Sequence, residues 1–172
     1  MEKVERFDHK GSIVGVGLVV VKAVRAPLVP AFLRGVLASA AEEPAVAGVL
    51  GRALGSPGFS AELTVRITGE REMRRLNRAF LAEDHTTDVL SFPSGDPASG
   101  YLGDLAMSWP AVLRQSAAYG HEPETEAAVL LVHGFLHLLG WDHATRDQEH
   151  EMTELTLACL ARAGVRPAAS RL

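Results

Sequence analysis

Apolar positions along this chain follow two spacings, and the places where one gives way to the other outline the elements. Residues 13–24 are apolar and β-branched and predict a strand. Pro27 and Pro30 end it, and Pro30 suits the first turn of a helix carrying Phe32, Leu33, Val36 and Leu37 at helical spacing. Residues 45–54 predict a second, weaker helix, and Gly55-Ser56-Pro57-Gly58 a turn. From Glu62 to Thr68 polar and apolar residues alternate, so Leu63, Val65 and Ile67 line one face of a half-buried strand and Arg66 lies on the other. A helix from Glu70 to Ala82 follows, with Met73, Leu76 and Phe80 as its core stripe and Arg71, Arg74, Arg75 and Arg78 as a second stripe beside it. Val89 to Phe92 predicts a short strand ended by Pro93, and residues 94–100 a loop. Tyr101 to Trp109 predicts another strand, and Pro110 then opens a helix that stops at Gly120. Residues 123–139 are almost wholly apolar from Ala127 onward, so this helix belongs deep in the core, and an amphipathic helix over 147–162 closes the fold. About four strands and five or six helices predict one α+β domain.

Composition narrows the class. A chain of 172 residues with 47% hydrophobic residues is enough for one domain with a real core. The single cysteine, Cys159, sits in an apolar helical pattern, excludes an intramolecular disulfide and fits a reducing compartment as a buried inert thiol. The apolar stretch 13–21 is short, glycine-interrupted and β-branched, and the Lys3, Arg6 and Lys10 before it are diluted by acids. It reads as a strand rather than a signal peptide. No stretch is long enough to span a bilayer, and a cytoplasmic protein is expected.

The chemistry is concentrated in His133-Gly134-Phe135-Leu136-His137-Leu138-Leu139-Gly140-Trp141-Asp142-His143. His133 and His137 are one helical turn apart and can aim two imidazoles at one point. Gly140 suits a left-handed position after the helix, where a chain reversal could return His143 to the same point. Three neutral imidazoles with an open fourth position are the ligand set of a catalytic zinc. The spacing is that of the metzincin peptidases, but Gly134 stands where they carry their general-base glutamate. Asp142 could partly substitute for that base or hydrogen-bond to a ligand. His9, His85, His121 and His150 have no ligand spacing and are expected to be exposed.

Net charge is −4, which argues against indiscriminate binding to a polyanion. The arginines nevertheless crowd between Arg66 and Arg78, either as a solvated helix face or as a local basic surface that tracks a phosphate chain.

Several segments together resemble the YbeY family of bacterial metal-dependent endoribonucleases. The histidine run is similar to that family's H-G-x-L-H-L-x-G-x-D-H motif, residues 84–93 (DHTTDVLSFP) to its D-x-x-T-[DN]-V-L-S-F-P stretch, and residues 102–108 (LGDLAMS) to its L-G-D-I-x-I-S strand. Asp147, Glu149 and Met152 fall where its closing helix carries like residues. The resemblance covers roughly residues 62–155, while the first 60 residues match only as strand then helix. His85 and Thr86 replace residues often lysine and proline.

The resemblance implies a single domain over 1–172, with a mixed sheet and a metal at the end of a central buried helix. It implies zinc on His133, His137 and His143, and Arg66 as the strand arginine that contacts phosphate. It further implies cleavage of single-stranded RNA in maturation of the 16S rRNA 3′ end and in ribosome quality control. Expected partners are then the ribosome, a small-subunit ribosomal protein and the Era GTPase. In the expected mechanism Arg66 neutralises charge in the transition state, and Arg71, Arg74, Arg75 and Arg78 hold the strand beyond the scissile bond. Thr87, Asp88 and Ser91 either line the cleft or stabilise a turn. Two alternatives are a metallopeptidase on the same three histidines and a non-catalytic ribosome-assembly factor.

Overall fold

The computed structural model describes residues 15–55 and 60–171. Ile13 and Val14 of the first predicted strand, the basic positions Lys3, Arg6 and Lys10, His9, and Ser56 to Gly58 of the predicted turn lie outside the described residues.

Four strands, β1 (Gly15–Lys22), β2 (Ser60–Thr68), β3 (Val89–Pro93) and β4 (Tyr101–Ser108), form one sheet in the order β1-β2-β4-β3. β1, β2 and β4 are parallel, and β3 pairs antiparallel with β4 at the edge. The connections explain this mixture. Helices α1 (Pro30–Ala41) and α2 (Pro44–Leu54) carry the chain from β1 to β2, as parallel neighbours require. After α3 (Glu70–Leu81), β3 and β4 form a hairpin whose loop holds a 3-10 turn at Pro97–Ser99. Helices α4 (Trp109–Tyr119), α5 (Pro123–Leu138) and α6 (Arg146–Arg162) complete the single α+β domain. Proline stands in the first turn of α1, α2, α4 and α5, where its missing N–H has no partner to lose. Among the described residues no helix is long and apolar enough to cross a membrane.

α5 is the centre of the molecule. From Glu126 to Leu136 every residue except His133 is buried. It packs on β3 and β4 and is enclosed by α1, α4 and α6. Leu63, Val65, Ile67, Leu105 and Met107 supply the sheet side of this core, each 0–1% exposed. Burying such side chains contributes about 1.5–3 kcal/mol each. Gly134 is the point of closest approach. A Cβ there would lie 2.9 and 3.1 Å from the two Cδ atoms of Leu105 and 3.3 Å from Cγ2 of Val89. Ser91 Oγ also donates to the Gly134 carbonyl at 3.2 Å. Cys159 is buried, and burial pushes its thiol up to about 12, which suits the inert reading.

The opposite face is covered only partly. Met73 of α3 packs there on Leu90 and Ala106. The predicted core stripe of α3 needs correction at Phe80, which is 64% exposed. α3 reaches the sheet through Met73 and Leu76, and Phe80 lies past that patch against Phe92. The buried position that the pattern did not mark is Asn77, whose Nδ2 donates to the His85 carbonyl at 3.0 Å. His121 is a second correction. Its side chain is 8% exposed, because its Nε2 lies 2.7 Å from Oε2 of the fully buried Glu126.

Candidate metal centre

The end of α5 builds the site. Leu139 is the last helix-like residue and Gly140 has φ 98°, the left-handed conformation that a side chain rarely adopts. The Trp141 N–H donates to the Leu136 carbonyl at 3.1 Å and the Gly140 N–H to the His137 carbonyl at 3.0 Å. This pair of bonds is the Schellman closure, and it folds the chain back over the last helical turn. The Asp142 carboxylate accepts the His143 N–H at 2.8 Å and holds the returning residue by its main chain. A capping box then starts α6, with Thr145 Oγ1 accepting from Gln148 N at 3.3 Å and Gln148 Oε1 accepting from Thr145 N at 3.0 Å.

The structure brings His133, His137 and His143 together, with one ring nitrogen of each within 4.8 Å of the others. The Nε2 atoms of His133 and His137 are 3.2 Å apart. Two nitrogens at about 2.0–2.1 Å from a tetrahedral ion lie roughly 3.3 Å from each other, so the pair fits one small cation. His137 Nδ1 lies 2.9 Å from the Trp141 carbonyl, which can only accept, so Nδ1 carries the proton and Nε2 presents its lone pair to the centre. Burial, with the neighbouring rings of His137 and His143 adding to it, holds His133 down to about 4. Burial likewise lowers His137. Both are therefore neutral near pH 7, as a ligand must be. His143 is exposed, and among the described residues no fourth imidazole, thiol or carboxylate joins the cluster. The donor set fits a divalent cation with a side open to substrate.

Other predicted residues are placed differently. Arg66 is exposed on β2, in register with Ala106 and through it with Leu90. These residues share the α3 face, while Val65, Leu105, Ser91 and Val89 share the α5 face. Arg66 thus lies on the far side of the sheet from α5 and two strands in from β3, roughly 10 Å by strand spacing. This placement does not support the expected role for Arg66 in neutralising charge beside the histidines. Of the two readings of the arginine stripe, its ion pairs fit the solvated helix face. Asp84 takes Arg74 at 2.8 and 2.9 Å and also Arg78, and these guanidinium bonds hold its carboxyl below the ordinary range. Glu72 takes Arg75 at 2.8 Å through both oxygens. Among the described residues Arg71 pairs with no carboxylate within 4.0 Å. The stripe is largely a set of exposed ion pairs, individually weak and exchangeable.

Asp88, expected either to line the cleft or to stabilise a turn, does both. Its Oδ1 accepts the Val89 N–H at 2.8 Å, which caps the start of β3, and its Oδ2 accepts from Gln115 Nε2 at 2.9 Å. Its charge also reaches His133, where it favours the protonated ring. Thr86, Thr87, Asp88, Arg114 and Gln115 line a polar recess of about 260 Å³ here. Position 134 offers a peptidase nothing. It is packed against the sheet, so a glutamate there has no room and the metallopeptidase alternative lacks its base.

Comparison with known proteins agrees with this arrangement. The family profile described as Endoribonuclease YbeY matches residues 39–164. An Endoribonuclease YbeY of Solibacter usitatus (strain Ellin6076) is 54% identical over 77 residues, which cover 45% of this chain and 50% of the relative. One of Roseiflexus castenholzii is 47% identical over 90 residues, covering 48% and 57%. One of Shouchella clausii is 43% identical over 105 residues, covering 54% and 66%. The chain thus spans about half the length of the first of these relatives. The solution structure of a Thermotoga maritima protein superposes with a TM-score of 0.51 at 19% identity, covering 84% of this chain and 89% of that one, which speaks for the fold. With about three quarters of its length inside the family profile and the histidine cluster assembled, the chain belongs to the YbeY family.

Proposed function

We propose that this protein is a zinc-dependent endoribonuclease that cuts single-stranded RNA. The observation that carries the reading is the convergence of three imidazoles on one point, two of them held neutral by burial and the third exposed. A divalent cation held there would polarise a phosphoryl oxygen and acidify a water. His137 is oriented for its part by the Trp141 carbonyl, and His143 by the Asp142 bond to its backbone. Asp88, held by the Val89 N–H and the Gln115 amide, is the carboxylate whose charge reaches the His133 side. Arg66 and Arg71 are assigned to the RNA backbone away from the scissile bond. Family membership supports the finer proposal, maturation of the 16S rRNA 3′ end and ribosome quality control in the cytoplasm. The ribosome, a small-subunit ribosomal protein and the Era GTPase are the proposed partners.

The test is metal analysis joined to cleavage of a defined single-stranded RNA. The purified protein is expected to carry about one zinc per chain. Cutting should disappear in His133→Ala and His143→Ala while circular dichroism is unchanged. Equal cleavage by these variants would show a contaminating nuclease and sink the reading. A non-catalytic assembly factor would leave rRNA maturation intact in cells carrying His133→Ala. Product ends separate two chemistries, since a 2′,3′-cyclic phosphate requires attack by the ribose hydroxyl.

A further inference from the structure

The sheet face away from α5 holds a feature that the histidine site does not use. Beyond the packed Met73, Leu90 and Ala106, a cleft of about 380 Å³ stays open between α3 and the strands, with Arg66, Leu76, Phe80, Phe92 and Asp104 in its lining. Phe80 is 64% exposed among the described residues. Its ring meets Phe92 at 5.0 Å between centroids and 64° between planes. An edge-to-face pair of this kind is held in place, yet leaves aromatic surface open to solvent. Phe80 is not among the side chains packed on the Met73, Leu90 and Ala106 cluster.

We propose that this cleft is a base-stacking subsite for single-stranded RNA, in which an unstacked nucleobase lies against Phe80 and Phe92 while Arg66 meets the adjoining phosphate. The assignment rests on the endoribonuclease reading and extends it to a place across the sheet from the histidines. Three observations select a nucleotide as the occupant. Phe80 and Phe92 give the cleft aromatic surface beside Leu76, and every base has a face to stack on a ring. A cation lines the cleft, since among the described residues Arg66 pairs with no carboxylate within 4.0 Å. Asp104, opposite Phe92 in the β3–β4 register, is fixed by the Tyr101 hydroxyl, which donates to its Oδ1 at 2.8 Å. A carboxylate repels phosphate but accepts from the exocyclic amino group of a base. Stacking thus supplies affinity with little regard to sequence, and Asp104 adds a preference for adenine or cytosine over uracil.

The test uses the full chain, in EDTA to prevent cleavage, and single-stranded RNA 12-mers carrying one 2-aminopurine. Binding to the wild type should quench the probe. Phe80→Ala should weaken binding about 10-fold and remove the quenching. Phe80→Tyr should keep both, and Phe80→Leu should lose the quenching although it keeps apolar area. Asp104→Asn should abolish the preference for adenine- or cytosine-containing oligomers over oligouridine. Wild-type affinity and quenching in Phe80→Ala overturn the subsite, and an apolar protein partner on this face would give that result. A wild type that neither binds nor, with metal, cuts the RNA would instead overturn the endoribonuclease reading itself.

Discussion

An imidazole binds a cation only when it is neutral and its lone pair is aimed, and at the residue scale this chain arranges both by burial and by one carbonyl. Loss of His137, the ring fixed by Trp141, should lower bound metal to near zero in His137→Ala, read by elemental analysis against the wild type. The same burial sets a pH dependence. His133 is held at about 4 in the fold against 6.5 for an ordinary histidine. Below pH 6.5 the unfolded chain therefore takes up a proton that the folded, metal-free chain refuses, so this contribution to stability falls as the pH drops from about 6.5 to 4. At pH 5 the loss is on the order of 2 kcal/mol. Urea titrations of metal-free protein at pH 5 and 7.5 should show it, and His133→Gln should flatten the difference.

At the element scale, two glycines govern how closely elements approach. Gly134 lets α5 lie on β3 and β4, and Leu105, the residue it would strike, is 1% exposed and has little room to move. Gly134→Ala should cost about 1–3 kcal/mol in urea denaturation and should also lower metal affinity, because it lifts the ligand helix off its support. Gly103 in β4 has φ 137°, and a Cβ there would overlap the Phe92 carbonyl oxygen. Gly103→Ala should therefore disrupt the β3–β4 pairing, seen as faster amide exchange from Val89 to Phe92, while α1 and α2 keep their protection. The helix and strand spacings made the elements themselves legible. Phe80 misled the pattern because α3 is only grazed by the sheet, and periodicity cannot say how much of a helix face finds a partner.

At the scale of the whole molecule, the C-terminal segment is locked to the start of α5 by a buried charge. Glu126 is fully buried and accepts from Arg171 Nε at 2.9 Å and from the His121 ring. The Ala168 N–H donates to His121 Nδ1 at 3.1 Å, so the ring proton sits on Nε2 and points at Glu126. The Arg171 guanidinium also lies 5.1 Å from the centre of the Tyr119 ring. Removing the arginine leaves a carboxylate buried with only a neutral partner. Arg171→Ala should cost about 3 kcal/mol by chemical denaturation, and adding Glu126→Gln should recover part of it. Sequence reading expected His121 to be exposed and gave Glu126 no role. Neither carries a local signal, since their partners are brought together only by the return of the chain after α6.

Local spacing and backbone chemistry were enough to determine the order and type of the elements, the central place of α5 and the grouping of His133, His137 and His143. That grouping is contained in one helical turn and one glycine reversal, so short-range geometry decides it. Which face each strand turns toward which helix was decided only by packing. The sheet puts Arg66 across from the histidines, ties three of the four α3 arginines to Glu72 and Asp84, and sinks Glu126. Those outcomes depend on residues distant in sequence, whose contacts exist only once the parallel crossovers have closed.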